Sequence, residues 1–453
     1  MRKILFSSLL AVTAVVALAC SSSTNTNACN VDAQTGCKQG QVCETVAGKT
    51  PACFDPVTFS GKVIDAQTSA GVGGARVVAR DANGAAVSNV ATSAADGTYK
   101  LVVPAPRDAD GKPLAALYTL RADAQGYAPF PSGLRVALPI DVKSATGTPP
   151  VVSSPPTTIA LLPLGKTGLG RIAGAVKSTS APPGGTLVVA QGGATAIADR
   201  SGAFVIFNVE PGAREVRGYA SGVNLKPATA TVVADQESAG VDLLEGGAAT
   251  ASITGSVNIV NAPGGSVTSV VLAVEDTFNA TLERGDVPRG LRAGNVTGAF
   301  EIKNVPDGKY VVLAAFENDN LVRDPDPNIA GTQIPHITVA GASIAAGSFK
   351  VTEALGVVSP GATDPELVTG NPTFTWKDDS SETGYSLVVF DDFGTKVWED
   401  TMIPSFKGSG NPSLAYAGPA LTSGRYYQWR VTSLKMGAPI SRSEELRGVF
   451  IAK

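Results

Sequence analysis

DRSGAFVIFNVEPGAREV at residues 199–216 and NVTGAFEIKNVPDGKYVV at residues 295–312 decide the fold. They align residue for residue: Gly202-Ala203-Phe204 on Gly298-Ala299-Phe300, Asn208-Val209 on Asn304-Val305, Gly212 on Gly308. Ser201-Gly202 and Thr297-Gly298 supply the positive φ that a tight hairpin turn needs. Alternation then puts Phe204 with Ile206, and Phe300 with Ile302, on one face toward a core. Pro211 and Pro306, each closely followed by glycine, turn the chain into a further strand.

A looser copy, AADGTYKLVVP, runs over 94–104, with Asp96-Gly97 as its turn and Tyr99 and Leu101 on the inner face. Ahead of each copy stands a short strand with a central glycine: FSGKVID (59–65), IAGAVKS (172–178) and ITGSVNI (253–259). GVGGARVVARDANG (71–84) and TLRADAQGYAP (119–129) add strands to the first copy, and the third carries a long insertion, 276–295, expected as a surface loop. Self-similarity at this spacing means one supersecondary unit repeated.

These motifs resemble the carboxypeptidase regulatory-like domain, whose fold is a transthyretin-like, seven-stranded Greek-key β-sandwich. The resemblance covers 56–145, 169–247 and 250–354, and is fullest in the first. In metallocarboxypeptidases this module is an appendage, and another domain holds zinc with two His and a Glu. This chain has a single histidine, His336, so that triad cannot be built. Residues 146–168, with Pro149-Pro150 and Pro155-Pro156, read as a stiff Pro-rich linker. PPTTIALLPL within it reads alternatively as the last strand of the first sandwich.

Residues 356–453 differ in character and hold all three tryptophans, Trp376, Trp398 and Trp429. ALTSGRYYQWRVTS (420–433) resembles a fibronectin type III strand, in which Tyr427 would close a corner by hydrogen-bonding back to the chain and Trp376 would be the buried second-strand tryptophan. Trp376 and Trp429 sit in alternating strands and are expected in the core. Trp398 follows a turn and is a candidate ligand contact.

Residues 1–19 read as an export signal: Arg2 and Lys3, an apolar run, then small residues. Cys20 follows and resembles the lipidated cysteine of bacterial lipoproteins, with Ala17 where that motif usually has leucine. Acyl chains contribute about 0.8 kcal/mol per buried methylene, enough for two or three to anchor a protein. Ser21, rather than Asp, implies the outer membrane under the sorting rule of that family; plain secretion is the alternative. Residues 20–28 form a polar tether. Residues 29–55 hold Cys29, Cys37, Cys43 and Cys53, an even count in an exported segment, which reads as two disulfides of open pairing. Zinc is the competing reading, weakened by the absence of a C-x-x-C pair and of histidine nearby.

Composition supports an all-β chain. Gly (50) and Pro (30) punctuate it, while 36 basic against 39 acidic residues leave no basic block for nucleic acid. Glu317, Asp319, Asp324 and Asp326 form an oxygen-rich segment that could suit calcium or simply be solvated; no other metal and no cofactor is expected. No nucleophile elbow or phosphate loop is present. The expectation is a row of separate sandwiches after a disulfide knob, working as a non-catalytic cell-envelope binding or scaffolding protein. A carbohydrate-binding surface protein and an accessory subunit of an envelope peptidase or transporter are the alternatives. Its partners would be the membrane, through the lipid, and a protein or glycan ligand.

Overall fold

In the computed structural model, residues 29–31, 33–133, 135–260, 268–280, 282, 284–315, 334–352 and 354–453 are described. Residues 1–28, with Cys20, and the acidic residues Glu317, Asp319, Asp324 and Asp326 lie outside them. Among the described residues the elements are strands and three short 3-10 turns, and no helix is long and apolar enough to cross a membrane. The chain is all-β.

The three copies share one strand-pairing plan in different sheets: two of four strands in the first, one of three and one of four in the third, and in the second a single nine-stranded sheet whose layers are joined through Val223–Leu225 and Leu243–Ala248. The opening strands are Val57–Asp65, Gly170–Lys177 and Ala251–Val260. Each pairs antiparallel with the aromatic strand of its module: Thr98–Val103, Ala203–Val209 or Ala299–Val305. On its other edge each takes the closing strand of the module in parallel: Ile159–Leu161, Leu243–Ala248 or Ile344–Thr352. Alternation fixes the inner face: Tyr99, Leu101 and Val103 are buried while Lys100 between them is exposed. In the later copies Asn208 and Asn304 adopt φ near +58°, which asparagine tolerates. Each is the extra residue of a bulge that keeps Val209 and Val305 inside.

The central glycine of each opening strand has a steric cause. Gly61 faces Tyr99, Gly174 faces Phe204 and Gly255 faces Phe300 across the ladder. The closing segment passes over the same spot. A Cβ on Gly61 would lie 1.9 Å from the Thr157 carbonyl oxygen, and one on Gly174 would lie 1.8 Å from that of Val241. On Gly255 it would meet both the Gly347 oxygen and the Phe300 ring at 2.7 Å.

Three expectations need correction. First, 146–168 is not simply a spacer. Val151–Val152 and Ile159–Leu161 pair with the opening strand of the first sandwich, as the alternative reading had it. Ile159, Ala160 and Leu161 are buried, and the Tyr99 hydroxyl donates to the Thr157 carbonyl at 2.6 Å. Burial of this apolar run outweighs the stiffness of the prolines, of which Pro155 and Pro156 form a single turn at Pro155–Thr157.

Second, the sandwiches do not stand in a row of separate units. The core of the third takes in Val78 and Ala86 from the first, and Leu187, Val189, Ile197 and Tyr219 from the second. Val136 and Leu138 of the first pack on Phe390 of the fourth. Third, the insertion at 276–295 is no mere surface loop, since Val287 and Leu291 within it are buried.

The fourth module faces a three-stranded sheet against a larger one in which Glu366–Val368 and Val449–Ala452 pair in parallel. Trp376 and Trp429 are fully buried among Phe374, Tyr385 and Phe450. The Thr422 amide donates to the Tyr427 hydroxyl at 2.9 Å, closing the corner. At the other end, Cys29 bonds Cys43 and Cys37 bonds Cys53. The sulfurs of Cys29, Cys37 and Cys53 lie within 4.8 Å of one another, but each is consumed in a disulfide, which leaves no thiolate for zinc.

Candidate functional site

The predicted sites scatter rather than converge. Trp398 is half-buried, stacked on Phe374 at 6.3 Å and edge-on to Tyr416 at 5.1 Å. Its ring therefore packs against the core of the fourth module. His336 lies at the start of the strand His336–Val339, with Nδ1 2.8 Å from a Glu275 oxygen and its ring edge-on to Phe278. Among the described residues no serine or threonine hydroxyl bonds that ring, so a nucleophile–base pair is not assembled there.

What does converge is a junction the sequence did not announce. Arg80 and Arg121 stand on the neighbouring antiparallel strands Arg76–Arg80 and Leu117–Asp123 of the first sandwich. Asp286, from the insertion of the third sandwich, accepts from Arg80 at 2.8 Å and from Arg121 at 2.8 Å. Thr195 of the second donates its hydroxyl to Asp286 at 2.7 Å and accepts from Arg121 at 2.6 Å. Asp123 holds the other side of Arg121 at 2.7 Å. One carboxylate thus joins three sandwiches.

The electrostatics are those of a closed ion cluster. Burial pushes the Asp286 carboxyl up, but the two guanidiniums beside it prevail and hold it well below the usual carboxylate range. Arg121 is raised: burial opposes its charge, yet two carboxylates outweigh it. Arg80 is lowered by burial, because it only shares Asp286 and faces Arg121.

A second kind of contact repeats along the chain. The Asn208 amide donates to the Ala124 and Tyr127 carbonyls at 3.0 and 2.8 Å, and its oxygen accepts from Gly126 at 2.7 Å. The bulge of the second module therefore caps a turn of the first. Correspondingly, the Asn304 carbonyl in the bulge of the third accepts from Gly222, in a turn of the second, at 2.8 Å. The disulfide hairpin takes the matching place on the first module: Glu44 accepts from Ala105 at 2.9 Å, and Ala47 donates to the Arg107 carbonyl at 2.8 Å. The residue-for-residue match of Asn208 and Asn304 was the signal, though nothing in it named a partner.

The fourth module joins through Arg135, which donates to the Ala160 carbonyl of its own module and to that of Phe393, both at 2.7 Å. Arg284 of the third module and Glu445 of the fourth form a further ion pair. These arrangements hold modules together.

No protein-family model matches the chain, and no curated protein matches it in sequence. Among solved structures, the Bacillus anthracis TIE protein is 12% identical, over 92% of this chain and 73% of that one, with a TM-score of 0.17. A DUF3823 family protein from Bacteroides ovatus is 14% identical, over 45% of this chain and 100% of that one, with a TM-score of 0.20. The major pilin subunit of Bacillus cereus is 10% identical, over 65% and 99%, with a TM-score of 0.18. Likenesses this weak decide neither fold nor function.

Proposed function

We propose that this chain is a non-catalytic scaffold of the cell envelope, exported, lipidated on Cys20 and held at the outer membrane, which presents a fixed body of β-sandwiches to a partner. The observation that carries the reading is the junction at Asp286, where a single carboxylate ties three modules. Modules joined by flexible linkers move freely by default. Here ion pairs and shared core replace that freedom, as suits a part that must hold surfaces at set positions. Neither the ion cluster nor the repeated bulge docking resembles catalytic machinery. The tether at 20–28 would hold this body off the lipid surface.

Two measurements test the reading. Small-angle scattering of the mature protein should return a compact particle with one maximum dimension. An extended, heterogeneous ensemble would remove the scaffold argument. Metabolic labelling with palmitate should mark the wild type and leave Cys20→Ala unmarked. Label that persists in that variant, or its absence from the wild type, would remove the anchor.

A further inference from the structure

A cleft of about 550 Å³ opens between the second and third sandwiches, lined by side chains other than those of the Asp286 ion cluster. At its floor lies Tyr219, only 3% exposed. Its ring is fixed on two sides: Tyr310 stands edge-on at 5.8 Å, and a Cβ on Gly308 would come within 2.7 Å of it. Among the described residues, the Tyr219 hydroxyl has no hydrogen-bond partner. Burial pushes this phenol up to about 12, with Arg217, Asp276 and Glu215 near enough to modulate it, and all three line the cleft. The ring is buried and immobilised while its unpartnered hydroxyl opens into the cleft, where it is free to bond whatever enters.

The surrounding groups say what kind of ligand. Glu215, Asp276 and Asp307 accept hydrogen bonds; Arg217 and Lys309 donate them. A divalent cation does not fit, because among the described residues no three carboxylate or imidazole ligand atoms converge within 4.8 Å. An apolar ligand would strand these charges. Groups that donate and accept at once, closely spaced on a small frame, satisfy such a lining. We propose that the cleft binds a saccharide, with the Tyr219 hydroxyl as its central contact. The carboxylates outnumber the cations, so neutral and amino sugars are preferred over uronic acids. This rests on reading the chain as a binding scaffold and adds the ligand class.

The test is titration calorimetry of the mature protein with cellobiose, a glucosamine disaccharide and a glucuronate-containing disaccharide. Binding of the neutral or amino probe, stronger than of the acidic one, is expected. Tyr219→Phe should weaken it about fivefold, the loss of one hydrogen bond, and Asp276→Asn, an exposed change, should weaken it with the fold unchanged by circular dichroism. No binding by any probe, preference for the glucuronate, or affinity untouched by both variants would overturn the site. So would capture of an oligolysine peptide with the sugars left unbound. A compact particle that binds no sugar would sink this site and leave the scaffold reading standing.

Discussion

The Arg121 guanidinium and the Asp286 carboxylate lie 2.8 Å apart, across 165 residues of sequence and between two sandwiches. Removing one partner of a buried ion pair leaves the other uncompensated, which typically costs about 3 kcal/mol or more. Asp286→Asn keeps the shape and removes the charge facing both Arg80 and Arg121. Urea unfolding should show the first three modules separating at lower denaturant than the fourth, and scattering should report a larger particle. An unchanged single transition would mean that the shared apolar core alone holds the modules. Because the folded pKa of Asp286 is depressed, its contribution is present above the unfolded carboxylate range. It is lost only as pH falls through the lower folded value, so the junction should survive at pH 4.

Glu44 carries the opposite sign. Burial against the first sandwich raises its carboxyl to about 7, although the Ala105 amide and Arg107 favour the charge. A raised folded pKa gives stability that is fully present below the unfolded value and is lost as pH rises through about 7. Docking of the disulfide hairpin should therefore be tighter at pH 5 than at pH 8, by about 1–3 kcal/mol. Hydrogen exchange at Ala47 and Ala105 reads this directly. Glu44→Gln should flatten the pH dependence, and an equal dependence in that variant would assign it elsewhere.

The repeated glycines give a graded prediction. Gly61→Ala and Gly174→Ala drive a methyl into a backbone oxygen at 1.9 and 1.8 Å, whereas Gly255→Ala meets its neighbours at 2.7 Å. Overpacking of a backbone that cannot retreat should cost about 3 kcal/mol at the first two positions and less at the third. Gly298 does not adopt the positive φ its turn suggested in sequence, which Asn295 takes instead; with nothing within 4 Å of the new methyl, Gly298→Ala serves as the control and should be neutral. Thermal melts of the four variants rank them. Equal melting temperatures would show that the closing strands shift to make room.

The two disulfides close loops 14 and 16 residues apart in sequence, in a segment with almost no core of its own. Each should contribute about 3 kcal/mol through the unfolded state. Replacing all four cysteines by serine should unfold the hairpin yet leave the sandwich transitions in place. Loss of the whole fold would mean that the hairpin is needed to complete the first module.

The local grammar of the fold was legible because it is carried by neighbours in sequence. Gly202 and Phe204 lie two apart, Asp96-Gly97 is a turn by itself, and alternation names the inner face. The assembly was not legible, because no local pattern links Arg80, Arg121, Thr195 and Asp286. Each is an ordinary polar residue on a strand or loop until the modules meet. Tyr219 escaped for the same reason: its strand reads as core, and only the third sandwich turns it into the floor of a cleft. The prolines of 146–168 misled in part, since stiffness is local while pairing with Val57–Asp65 comes from nearly a hundred residues away.

Trp398 separates two roles with one variant. As a ligand platform it would contribute affinity and little stability. Its ring instead lies against Phe374 and Tyr416, and the core of the fourth module closes over one of its faces. Truncating a half-buried tryptophan removes apolar contact and opens a partial cavity, so Trp398→Ala should cost about 2 kcal/mol. Trp376 and Trp429 remain as fluorescent reporters of that module, both fully buried. Their urea midpoint should fall in the variant while saccharide titration at the Tyr219 cleft stays unchanged. A midpoint that holds while sugar binding falls would return Trp398 to the surface and give it a ligand.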